Sequence, residues 1–199
     1  MRIALILALT LTSAAARAAE NRSDYTKIED DGCRLVAEYE AGATSVCEGL
    51  AGIWFEINDG DARVSVTFGI DPDNRPEQRR FESFERFNNI NDVIEWRHRD
   101  DIADGGRPFA AILRWLISFS DDGGATYKTG QVLVVSRVGG AQAPGCVVGY
   151  VDALVNKEAN VMARQVADTL AAGFRCGVDE PAYHGKTGRL SGRPMRPTP

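Results

Sequence analysis

Glu95-Trp96-Arg97-His98-Arg99-Asp100-Asp101 is the densest run of chemically capable side chains in this 199-residue chain. On an extended strand, Ile94, Trp96 and His98 face one way, while Glu95, Arg97 and Arg99 face the other. An indole beside an imidazole could make a platform for a sugar or a peptide, and guanidinium forks suit carboxylates. The structural alternative puts Trp96 in the core and His98 at the strand end, with Glu95 and Arg97 pairing across to neighbouring strands. Arg114 interrupts an apolar run beside Trp115. It either faces solvent on an open sheet face or pairs with an acid such as Asp152. The expected ligand-binding set is therefore Arg63, Trp96, Arg97, His98 and Arg114. Arg63, Arg97, Arg99 and Arg114 would form a positive stripe on the open face of a sheet. Such a stripe suits the carboxylates of a peptide or polysaccharide.

Catalysis has fewer parts to work with. His184 falls in a Gly-, Pro- and Arg-rich C-terminal stretch, which leaves His98, and no serine sits in a Gly-x-Ser-x-Gly motif. Ser–His and Cys–His hydrolysis therefore lack their components. The carboxylate pairs Asp30/Asp31, Asp59/Asp61, Asp100/Asp101 and Asp121/Asp122 mostly coincide with turn signals, where Asp accepts local backbone hydrogen bonds. A small secreted hydrolase is the alternative to a binding protein, and it would draw on Asp61, Glu95 and Asp101. Asp71-Pro-Asp-Asn74 lacks the glycine and distal glutamate of an EF-hand loop. Gly123-Gly124 and Gly139-Gly140 lack the following helix of a phosphate loop. No metal or cofactor is expected.

Compartment is easier to read. Arg2, the apolar run Ile3–Leu11 and Ala16-Arg17-Ala18 have the layout of an export signal. The run is far shorter than the roughly 20 residues needed to cross a bilayer as a helix. Residues 1–18 are expected to be removed near Ala18/Ala19, giving a periplasmic or secreted protein with no transmembrane segment in its mature chain. Cys33, Cys47, Cys146 and Cys176 all lie beyond the signal. No two are close enough for a zinc half-site, so an oxidising compartment predicts two disulfides. Three connectivities exist, and the local pairs Cys33–Cys47 and Cys146–Cys176 are favoured. The formal charge is −5, and losing Arg2 and Arg17 makes it more negative, which argues against nucleic acid as a partner. Arginine outnumbers lysine 19 to 4. Anion recognition would explain that, but so would a GC-rich coding sequence, which is the preferred reading.

These side chains need a scaffold. Leu35, Ala37 and Tyr39 alternate with polar neighbours, as do Ile53, Phe55 and Ile57. After Asn58-Asp-Gly-Asp61, Val64, Val66 and Phe68 alternate with Arg63, Ser65 and Thr67, which predicts a hairpin with a dry and a wet side. Residues 71–91 break the pattern, and Phe81, Phe84 and Phe87 at three-residue spacing suggest one helical turn. Strands resume over 92–99, 109–119 and 131–138, and Cys146–Val155 reads as a central strand. Asn156 would cap one helix, with Ala159, Ala163, Val166, Ala167, Leu170 and Phe174 on one stripe. The expected class is α+β: a mostly antiparallel sheet of about seven to eight strands with one C-terminal helix. A flexible leader (19–31), a single domain (32–178) and a disordered basic tail (179–199) complete the expected organisation. The expected role is non-enzymatic binding or envelope association outside the cytoplasm.

Overall fold

A computed structural model describes residues 21–75, 81–99, 106–140 and 143–195. The expected signal peptide and Asp101 lie outside the described residues. Twelve strands in three sheets, rather than seven to eight in one, occur among the described residues. They are β1 (Arg22–Lys27), β2 (Cys33–Tyr39), β3 (Gly42–Glu48), β4 (Trp54–Gly60), β5 (Arg63–Ile70), β6 (Ser83–Phe84), β7 (Asn88–His98), β8 (Ala110–Phe119), β9 (Lys128–Arg137), β10 (Cys146–Asp152), β11 (Ala182–Tyr183) and β12 (Pro194–Met195). One helix, α1, spans Ala159–Leu170.

The chain folds in three layers. The antiparallel sheet β2-β3-β4-β5 packs against one face of the six-stranded sheet β1-β7-β8-β9-β10-β11. Phe55, Val66 and Phe68 meet Trp96, Leu113, Trp115 and Val134 in that interior. On the other face, α1 lays Ala159, Ala163, Val166 and Ala167 over Ile112, Leu133, Val135 and Val148. Both faces of β10 are therefore covered, which is why Cys146–Asp152 is a buried apolar run. The open sheet face expected from the sequence is instead occupied by the helix.

The hairpin between β4 and β5 turns through Asp61 (φ 53°) and Ala62 (φ 55°), both left-handed, the geometry that matches strand twist across a two-residue loop. Cys33 and Cys47 sit opposite each other on β2 and β3 and are bridged. Cys146–Cys176 ties β10 to the segment after α1. Both favoured pairings hold.

Four local expectations need correction. Residues 22–27, expected in a loose leader, form the edge strand β1 and pair antiparallel with β7. Phe84 belongs to a short strand rather than a helical turn, and its ring packs edge-on against Trp115 and Tyr150. Asn156 does not cap α1. The cap position is Glu158, and the Asn156 amide instead donates to the carbonyls of Asp152 and Lys186. Leu170 is partly exposed rather than core.

The expected tail is a strap. Residues 182–183 pair parallel with β10, and 194–195 pair with β6. Between them, Asp152 accepts hydrogen bonds from the Ser191 hydroxyl at 2.5 Å and the Gly188 N–H at 2.9 Å. Two glycines on the main sheet make room for the strap. A Cβ on Gly130 would lie 1.9 Å from the Leu190 carbonyl oxygen, and one on Gly149 would lie 3.0 Å from the His184 ring. The strap has no apolar stripe: Tyr183 and Leu190 pack singly against the core, and polar contacts and close backbone approach hold the rest.

Candidate ligand groove

The residues singled out from sequence are dispersed. Trp96 is fully buried, its ring edge-on to Phe68 at 5.4 Å, and its Nε1–H donates to Thr26 Oγ1 at 2.8 Å. It belongs to the core, with no ring face left for a ligand. His98 is buried too, with Nε2 2.8 Å from Asp24 Oδ2 on the edge strand. Glu95 and Arg97 do lie on the opposite face from Trp96, as alternation predicts, but that face is under α1. Arg97 binds Asp168 and donates to Ser23 Oγ at 2.7 Å. Glu95 accepts from Ser23 Oγ and Arg164 Nε, both at 2.5 Å. That contact is the largest reason the Arg164 guanidinium is held above its ordinary pKa. Arg97, expected in an open arginine stripe, thus belongs with Arg164 to an internal clamp between sheet and helix. Arg99 lies over the Phe109 ring. Arg114 donates to Gln131 Oε1 at 3.0 Å and to Asn160 Oδ1 at 3.4 Å, not to Asp152. Asp61 and Glu95 stand on different sheets and bind different arginines, Arg63 and Arg164, so those two expected acids make no catalytic pair.

Arg63, of the expected set, lines a groove. It begins β5, straight after the left-handed turn, so its side chain is aimed by a rigid hairpin. Nε and Nη2 donate to the Glu85 carbonyl oxygen at 3.1 and 3.0 Å, Nη1 binds Asp61, and the guanidinium lies over the Phe87 ring at 5.1 Å. These bonds engage most of its five donors. Arg63 therefore shapes the groove more than it offers donors to a ligand.

The groove has two adjoining parts. One, of about 350 Å³, is lined by Arg63, Glu85, Arg86, Phe87, Ser118 and Tyr127 together with the 120–124 turn. The other, of about 630 Å³, is lined by Arg63, Glu85, Arg193, Pro194 and Met195. Arg63 and Glu85 form the wall they share. Phe87 is 48% and Tyr127 62% exposed, and both line the smaller part. Arg86 lies over the Phe119 ring at 4.6 Å, and no described residue accepts a hydrogen bond from it. Arg193 binds Glu85 Oε1 at 3.2 Å through Nε alone and is largely exposed.

The rim is stiff. Asp122 Oδ1 accepts from the Ser120 hydroxyl at 2.8 Å and the Thr126 N–H at 2.9 Å, and Oδ2 accepts from the Thr126 hydroxyl at 2.6 Å. These bonds, the Thr126 hydroxyl first, bring the Asp122 carboxyl down to about 2. The Ser120 hydroxyl also accepts from the Gly124 N–H, so the turn between β8 and β9 closes on itself. Gly123 (φ +70°) and Gly124 (φ +99°) supply the left-handed backbone it needs.

Arg86, Phe87, Tyr127 and Arg193 escaped the sequence reading because each lies in a stretch read as loop or tail. The available signal was large aromatics, Phe87 and Tyr127, inside otherwise polar breaks. Among the described residues, no cluster of three or more His, Cys, Asp or Glu is placed to hold a metal ion. Comparison with known proteins finds no match: no protein-family model, no curated protein and no solved structure resembles this chain at a significant level.

Proposed function

We propose that this is an exported, non-catalytic binding protein whose groove beside Phe87 and Tyr127 receives a carboxylate-bearing ligand. The observation that carries the reading is Arg86: a guanidinium stacked on a buried ring, its donors unclaimed by any described residue, next to two exposed aromatic rings. Stacking orients the fork without consuming its N–H groups, so a carboxylate can be met bidentately at little ordering cost. Exposed Phe87 and Tyr127 supply apolar contact for the remainder of the ligand. The cavity volume is within the range of small-ligand sites. Two disulfides fit an oxidising compartment. No helix among the described residues is long and apolar enough to cross a membrane.

The test of binding is NMR titration with phenylacetate, the smallest probe joining a ring to a carboxylate. The Arg86 Nε–H and the ring signals of Phe87 and Tyr127 should move together, and Arg86→Ala should abolish the response with the melting temperature unchanged. Absence of any shift at millimolar probe would overturn the reading. Export is checked by intact mass: a chain beginning at Ala19 in an extracytoplasmic fraction is expected, and full-length chain in the cytosol would refute it.

A further inference from the structure

Building on the carboxylate-binding reading of this groove, we infer that its ligand is an acidic polysaccharide segment, spanning both parts with uronate carboxylates at either end. The charge order along the groove carries the inference. Arg86 lines only the smaller part and Arg193 only the larger, while Glu85 lies in the wall between them. That wall also carries the Arg63 guanidinium, bound to Asp61, and the Glu85 carboxylate is paired with Arg193, so its charges are internally matched while one further guanidinium stands in each part. Two separated guanidiniums favour a chain whose negative groups are spaced by neutral, hydroxyl-bearing atoms. A pyranose ring carrying one carboxylate and several hydroxyls per unit presents that spacing.

The walls fit the same chemistry. Phe87, with Arg63 on one side of its ring, and Tyr127 offer exposed aromatic surface for the C–H side of a sugar ring, and Pro194 with Met195 adds apolar lining to the larger part. The Ser118 hydroxyl in the smaller part makes no hydrogen bond with a described residue, so it is free to meet a sugar hydroxyl. An acidic peptide is the weaker fit. Strand addition to an open sheet edge, one of the ways extended peptides dock, is closed at this groove. Here the bordering main-chain groups are engaged: Glu85 N–H donates to the Arg193 carbonyl, Ser118 N–H donates to the Phe87 carbonyl, and the Glu85 carbonyl is held by Arg63. β8 is paired on both sides by β7 and β9. Recognition must therefore come from side chains.

The experiment is isothermal titration of the mature protein with trigalacturonate, galacturonate, maltotriose and triglutamate, alongside phenylacetate. Trigalacturonate should bind at least about tenfold more tightly than galacturonate, and maltotriose should not bind measurably. Arg193→Ala should weaken trigalacturonate about three- to tenfold more than it weakens phenylacetate or galacturonate, because only the longer ligand reaches the second anion contact. If phenylacetate binds but trigalacturonate does no better than galacturonate, the saccharide assignment falls and the carboxylate site stands. If triglutamate binds more tightly than trigalacturonate, the ligand is peptide and the inference is overturned. If no anionic probe binds, both readings fail.

Discussion

Arg97 grips Asp168 with two arms of its fork, Nε to Oδ1 at 2.9 Å and Nη2 to Oδ2 at 2.6 Å, and so fastens α1 to β7. The same guanidinium donates to Ser23 Oγ and to the Asn21 carbonyl, drawing in the edge strand. This clamp matters because the buried side of α1 is mostly alanine, at positions 159, 163 and 167. Alanine lets the helix approach closely but buries little area at about 25 cal/mol per Å². Directional contacts must then set its orientation, and the Arg97–Asp168 and Arg164–Glu95 pairs do so.

Removing one partner should therefore be costly. Asp168→Ala leaves the Arg97 charge enclosed without its counter-ion, and such losses cost about 3 to 5 kcal/mol when both partners are buried. The Asp168 side chain is a quarter exposed, so water recovers part of the loss and about 2 to 3 kcal/mol is expected. Urea unfolding measures it, and hydrogen exchange should show β1 amides opening before β8 amides. A midpoint equal to that of the parent protein would show that the pair contributes no net stability.

A truncation ending at Glu180 tests the strap. It removes β11 and β12, exposes the apolar surface under Tyr183, and leaves buried Asp152 without Ser191 and Gly188. A destabilisation of about 3 kcal/mol corresponds to a melting temperature lower by about 6 to 12 °C. Gly130→Val, which forces a side chain into the Leu190 carbonyl, should reproduce part of that loss by displacing the strap. Unchanged melting in both variants would mean that the segment rests on the body without holding it.

The contrast between strap and sheet shows where legibility in the sequence ends. The β4–β5 hairpin could be read because one face is dry, and Val64, Val66 and Phe68 alternate accordingly. Both disulfide pairings could be read because each joins cysteines that are near in sequence. β1 could not, since an edge strand of Arg, Ser, Asp, Tyr, Thr and Lys is held by hydrogen bonds that Ser23 donates to Glu95 and that Asp24 and Thr26 accept from His98 and Trp96, rather than by an apolar stripe. The strap was hidden for the same reason. The arginine stripe failed at a different step. Alternation placed Glu95 and Arg97 correctly on one face, but which face the helix covers is a tertiary fact with no local period. The groove needed three separate segments, around 63, 85–87 and 118–127, joined at its far end by the strap.

Acid should loosen the strap first, and Asp152 gives the sign. Burial opposes ionisation of this carboxyl, but hydrogen bonds from the Ser191 hydroxyl and the N–H groups of Gly188, Leu154 and Val155 outweigh it and hold its pKa below the usual aspartate value. A group more acidic folded than unfolded binds fewer protons in the native state. Its contribution to stability is complete above the unfolded value of about 3.9 and falls as the pH drops through the lower folded value. The Tyr183 phenol, raised chiefly by burial, stays neutral throughout and adds no slope in acid. Asp152→Asn should therefore be less stable than the parent at pH 7 and converge toward it as the pH falls below about 4, while other carboxylates continue to titrate in both proteins. Parallel denaturation midpoints for the two proteins across that range would show that the ionised Asp152 does not secure the strap.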